Sequence, residues 1–155
     1  RTVIKNLIST KDITAIKKKH NLTGDELQLL QQESFKEQQL QMNCKRIFDN
    51  LSYQFTDSLS FFQQNDNGGY GNMATKIIKK AEGTISGWPD VTLWKFSKDC
   101  EKSIFIEFKK LAITKMSKHQ EHIHKQLSDA GKEVYLCNNT VYFEKVICKE
   151  FFDLK

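Results

Sequence analysis

The sequence predicts an α/β domain, a mixed β-sheet flanked by α-helices, with a helical extension at its N-terminus. Three observations carry that prediction. Residues 35–51, "FKEQQLQMNCKRIFDNL", place Leu40, Cys44, Ile47, Phe48 and Leu51 at three- and four-residue steps, the apolar stripe of an amphipathic helix. Residues 86–110, "SGWPDVTLWKFSKDCEKSIFIEFKK", hold two runs rich in β-branched and aromatic residues around a charged turn. Residues 117–131 carry helix punctuation at both ends: Ser117 as N-cap, Gln120 at the third helical position and Gly131 beyond the last turn.

Taken in order, residues 1–34 read as polar helices, with Thr23 or Asp25 capping the one that begins at "TGDEL". The helix over 35–51 follows. Counting back three residues along its stripe from Leu40 reaches Glu37, which places a carboxylate on the inward face. "YQFTDSLSFF" supplies a strand or two, and the Asn/Gly-dense "NDNGGYGN" marks a loop. "MATKIIKKA" is a short helix carrying Lys76, Lys79 and Lys80. Then come the 86–110 hairpin and the 117–131 helix. A last hairpin, "EVYLC" and "TVYFE" around "NN", precedes a closing helix over "KVICKEFFDL".

With 155 residues the chain has room for one hydrophobic core and little for a second. A single proline and seven glycines argue against a long linker. No stretch approaches the roughly 18 apolar residues of a membrane span, and "RTVIKNLISTKD" lacks the apolar centre of a signal peptide. The expected compartment is therefore the cytoplasm (of a bacterium or a phage-infected cell) or the nucleus. Cys44, Cys100, Cys137 and Cys148 show no CxxC pairing and read as reduced cysteines. The net charge of +5 favours an anionic partner.

The hairpin raises a question of chemistry. Pairing 91–96 with 103–108 across a six-residue turn sets Asp90 opposite Lys109 and Thr92 opposite Glu107. Opposed residues of an antiparallel pair share a face. Asp90, Glu107 and Lys109 then converge at one end of one sheet face, while Ile104, Ile106 and Phe108 point to the other. Two carboxylates placed so form an oxygen-rich pocket suited to Mg²⁺ or Mn²⁺. An ion there polarises a phosphodiester and acidifies water, and a neighbouring lysine steadies developing negative charge. The alternative is a cross-strand salt bridge from Asp90 to Lys109, worth under about 1 kcal/mol if exposed. Glu37 and Gln120 both point towards this end. Gln120 has two readings, as half of a capping box with Ser117 or as a member of the site. Asn67, Lys76, Lys79, Lys80, Lys110, Lys115 and Lys118 surround it as candidate phosphate contacts. Trp88 either packs or touches a substrate base. His119, His122 and His124 lie close in sequence without a partner pattern for zinc, and read as part of a solvated basic helix.

"EQQLQ", "NGG…IIKKAEGTISGWPD", "IEFKK" and "SKHQ…L…AG" occur in the order and with the spacing of a known set of motifs. The chain resembles the VRR-NUC branch of the PD-(D/E)xK nuclease superfamily over about residues 37–139. That resemblance implies a restriction-endonuclease-like fold, with 1–34 as the extension and 35–155 as the nuclease domain. It implies Glu37, Asp90 and Glu107 as ligands of Mg²⁺ or Mn²⁺, joined by the Phe108 backbone carbonyl. Lys109 is implied as the catalytic lysine and Gln120 as an active-site accessory. The implied activity is DNA cleavage, and stand-alone modules of this size act as homodimers on branched DNA such as Holliday junctions. Two other readings stay open: a binding module that has lost turnover, and an accessory protein that recruits a partner nuclease.

Overall fold

An apolar stripe at helical spacing has to be covered, and helix α1 (Glu37–Ser52) buries Leu40, Cys44 and Phe48 along one side. The computed structural model describes residues 37–66, 72–109 and 116–154, so the expected 1–34 extension lies outside the described residues. After α1 come β1 (Leu59–Gln64), α2 (Met73–Ala81), β2 (Val91–Ser97), β3 (Cys100–Phe108), α3 (Lys118–Asp129) and β4 (Glu133–Cys137). The chain ends in α4, residues 140–151, which is α-helical at Thr140–Tyr142 and Lys149–Phe151 and π-wound at Phe143–Cys148.

The four strands form one mixed sheet in the order β1-β2-β3-β4. The pairs β1–β2 and β2–β3 are antiparallel, and β3–β4 is parallel. Parallel neighbours need a crossover, and α3 supplies it between β3 and β4. Alternation along the strands sorts the residues between two faces. Val91, Leu93, Ile104, Ile106, Phe108, Tyr135 and Cys137 join Leu40, Cys44 and Phe48 in the main core. Helix α4 closes this core with Val141, Phe143, Ile147 and Phe151. The Phe48 ring lies 5.6 Å from Phe151 and 5.4 Å from Phe152. Cys44, Cys137 and Cys148 are buried and form no disulfide, whereas Cys100 is exposed beside the hairpin turn.

Two expectations are corrected. The β2–β3 turn is two residues long, Lys98 and Asp99, because Ser97 pairs with Cys100. The ladder therefore runs to Val91↔Ile106, and its next step sets Asp90 across from Glu107 rather than Lys109. The slip is by two residues, an even number, so every side chain keeps its expected face. The second correction concerns "TVYFE", which is not a strand. Asn139, expected in a hairpin turn, is instead the N-cap of α4, its side chain accepting a hydrogen bond from Tyr142 N at 2.7 Å. The β-branched and aromatic residues that suggested a strand recur onward at helical steps and are buried in the main core, and that packing overrides their local preference. Among the described residues the sheet accordingly has four strands and ends at β4.

Candidate active site

The site forms where β2 begins and β3 ends. Asp90 precedes the first residue of β2, and its Oδ2 accepts a hydrogen bond from Phe108 N at 2.9 Å. Asn65, just past β1, locks this corner from the neighbouring strand. Its backbone N–H donates to Asp90 O (2.8 Å), and its side-chain amide donates to Pro89 O (3.0 Å) and Thr92 Oγ1 (2.8 Å). Glu107 points from β3 to the face opposite the main core and is 2% exposed. Phe105, two residues earlier on that face, carries Trp88 edge-on with ring centroids 5.5 Å apart, so Trp88 packs.

Helix α3 brings the remaining groups. Ser117 Oγ accepts from Gln120 N at 3.2 Å and Gln120 Oε1 accepts from Ser117 N at 3.0 Å, a complete capping box. The same glutamine donates from Nε2 to Glu107 Oε1 at 2.6 Å and accepts from Lys109 Nζ at 3.0 Å. Gln120 therefore completes the cap and contacts both Glu107 and Lys109 at once. Lys109 Nζ lies 3.7 Å from Glu107 Oε1, and Gln120 bridges the pair. Gly87 permits the close approach of these segments. Its φ is +80°, and an added Cβ would lie 2.8 Å from the His119 carbonyl carbon and oxygen. A side chain there would push the Trp88-Pro89-Asp90 segment away from the N-terminus of α3.

The balance of charge at Glu107 is unfavourable. Burial, and next the charge of Asp90, push its carboxyl up to about 8; Lys109 opposes the shift and Glu37 adds to it. The second oxygen, Oε2, is buried without a hydrogen-bond partner and faces His124 Nε2 at 3.9 Å. His124 is itself fully buried. Burial, helped by the Lys109 charge, lowers its pKa to about 4, which leaves the imidazole neutral. Among the described residues, no three His, Cys, Asp or Glu side chains form a ready-made metal cage. The donor set is nonetheless short of positive charge and made of oxygens, which suits a small hard cation better than a soft one. A cation beside Asp90 and Glu107 would relieve the repulsion that raises Glu107.

This corner opens into a cleft of about 1100 Å³ lined by Glu37, Asp90, Glu107, Phe108, Lys109 and Gln120 on one side, with Asp66 and Lys79 also in its wall. The VRR-NUC domain matches residues 24–140, most of the chain. The chain belongs to the VRR-NUC family. Searches of curated proteins and of solved structures found no match. The family makes this a nuclease-type domain, and its mixed sheet flanked by helices is compatible with a restriction-endonuclease-like fold. Among the described residues, no helix is long and apolar enough to cross a membrane.

In this VRR-NUC domain the expected residues divide into three groups. Asp90, Glu107, Lys109 and Gln120 are joined by contacts, and Phe108 lies among them. Glu37 opens α1 at the edge of the same cleft, where its charge reaches Glu107. Of the lysines, Lys79 lines the cleft and pairs with Asp66 at 3.4 Å. Lys76, Lys80 and Lys118 are exposed and do not line it. Asn67, Lys110 and Lys115 lie outside the described residues. Three residues that matter here were not among those expected: Asn65, Asp66 and His124. Asn65 and Asp66 open the Asn/Gly-dense loop, but no periodicity there singles out which of its polar residues face the site. His124 had a signal, because it falls four residues after Gln120 and shares its helical face.

Proposed function

We propose that this chain is a divalent-metal-dependent endonuclease that hydrolyses DNA phosphodiesters, with Glu37, Asp90, Glu107, Lys109 and Gln120 as its active-site residues. The observation that carries the proposal is the contact chain Lys109–Gln120–Glu107, with Asp90 on the adjoining strand end and Phe108 tied to it. A structural salt bridge does not need a glutamine between lysine and acid, nor a second carboxylate beside a buried one. Preference for branched DNA such as Holliday junctions, homodimeric action and a cytoplasmic or nuclear setting rest on the family resemblance and belong to the same proposal.

In this reading Asp90, Glu107 and the Phe108 carbonyl, with Glu37, would hold Mg²⁺ or Mn²⁺. Such an ion would supply charge neutralisation for the scissile phosphate and acidification of water. Asp90 is held in place by the Phe108 N–H, so its carboxylate does not have to reorganise. Gln120 fixes both Glu107 and Lys109 through its two amide ends. The Lys109 ammonium, kept beside the acids, orients the attacking water and stabilises negative charge on the phosphoryl oxygens as it builds. Lys79, on the cleft wall, contacts a neighbouring phosphate.

The test is cleavage of junction, flap and linear DNA in Mg²⁺ or Mn²⁺ by wild type and Asp90→Ala. Wild type is expected to cut only with the ion, and Asp90→Ala to lose about 100-fold or more, the scale for removing one electrostatic anchor of a transition state. Equal cutting by both proteins, or none by the wild type, refutes the proposal.

A further inference from the structure

Beneath Glu107 lie buried polar groups that the proposed chemistry leaves unused. His124 is 0% exposed, and neither ring nitrogen has a hydrogen-bond partner. Glu107 Oε2 is likewise buried and unpartnered, 3.9 Å from His124 Nε2. Ser128, four residues further along α3 on the same buried face, has a third unpartnered polar atom, its Oγ. Buried polar groups are nearly always satisfied. A histidine, a carboxylate oxygen and a hydroxyl stacked without partners under one acid therefore call for an explanation. Packing does not provide one, since Leu or Ile would fill this helix face without unpaired nitrogens.

We propose that His124 is a positioning residue for Glu107: its imidazole donates from Nε2 to Glu107 Oε2 when that carboxylate holds a divalent cation. The inference rests on the nuclease reading and deepens it, by naming what holds the ligand from below. The geometry makes the contact conditional. At 3.9 Å the two atoms are about 1 Å too far apart for a hydrogen bond, so the carboxylate has to shift towards the imidazole to form one. A carboxylate that holds a cation is a charged acceptor, and a buried N–H within reach gains by donating to it. With Gln120 on Oε1 from the side and His124 on Oε2 from beneath, rotation of the Glu107 carboxylate is fixed by two donors one turn apart on α3.

The experiment titrates Mn²⁺ into the full chain by calorimetry and records metal-free melting for wild type, His124→Leu and His124→Gln. His124→Leu should bind Mn²⁺ about 10-fold or more weakly, the range for losing a hydrogen bond behind a metal ligand. The same variant should melt at the wild-type temperature or higher without metal, because it removes two unpaired buried nitrogens. His124→Gln keeps a donor near the Nε2 position and should bind within about threefold of wild type, as rescue of a single hydrogen bond requires. Three outcomes overturn the inference: wild-type affinity in His124→Leu, equal losses in both variants, or an affinity loss in His124→Leu that tracks a lower melting temperature. Absence of Mn²⁺ binding in the wild type overturns the nuclease reading itself, and this inference with it. Failure of the inference alone is recognised by normal wild-type binding that His124→Leu leaves unchanged.

Discussion

Glu107 is the residue on which the energetics of the site turn. An acid that is 2% exposed beside Asp90 is held with its pKa raised to about 8, against 4.5 when free. Between those two values the folded chain binds one proton more than the unfolded chain at this position. Its contribution to stability is therefore complete below about pH 4.5 and is lost as pH rises towards 8. Glu107→Gln removes that titration. In metal-free buffer, urea unfolding from pH 4.5 to 8 should show the stability of wild type falling relative to Glu107→Gln; parallel curves would mean that Glu107 ionises freely in the fold. Asp90, Glu107 and Lys109 were legible in the sequence because strand alternation puts them on one face whatever the even register. His124 was passed over despite falling one turn after Gln120, because three histidines in six residues of a polar helix look like a solvated face. Burial under a neighbouring strand is a tertiary fact that a single helix does not announce.

At the scale of elements, α3 does two jobs with one residue. Gln120 closes the capping box with Ser117 and bridges Glu107 to Lys109. The two roles separate by mutation. Ser117→Ala should cost about 1 kcal/mol of stability, as loss of an N-cap does, and leave the contacts of Gln120 with Glu107 and Lys109 in place. Gln120→Ala loses its arm of the box and both contacts, and should slow single-turnover cleavage at least about tenfold more than Ser117→Ala, as expected for loss of a group that orients a ligand. Equal cleavage by the two variants would reduce Gln120 to a cap. The capping box was readable because Ser, Gln and Gly stand at fixed offsets along the chain. The hairpin turn was misjudged because its charged residues extend into both strands, and Lys102, drawn into the expected turn, is paired with Lys95 in the ladder. The strand expected at "TVYFE" failed for a different reason: an Asn pair suits a hairpin turn and a helix N-cap equally, and only burial of Val141, Tyr142 and Phe143 in the core decides between them.

At the scale of the molecule, the sheet explains why the site lies where it does. Main-core residues fill the face under α1 and α4, and α3 joins β3 to β4. Glu107 and Asp90 point away from the main core at the strand ends where β2 starts and β3 stops. The order of the motifs along the chain showed this much, because an acid before one strand and an acid and lysine at the end of the next meet only if the two strands pair. The cleft itself was beyond the sequence, since Asn65 and Asp66 reach it from the end of β1 and Lys79 from α2.

The central claim is that this cleft binds a divalent cation between Asp90 and Glu107. Anomalous diffraction from crystals soaked in Mn²⁺ tests it most directly. The account predicts one strong peak within coordination distance, about 2.0–2.6 Å for hard cations on oxygen, of both carboxylates and the Phe108 carbonyl. A cleft with no peak there, in crystals of a chain that still cleaves DNA with Mn²⁺, would contradict it.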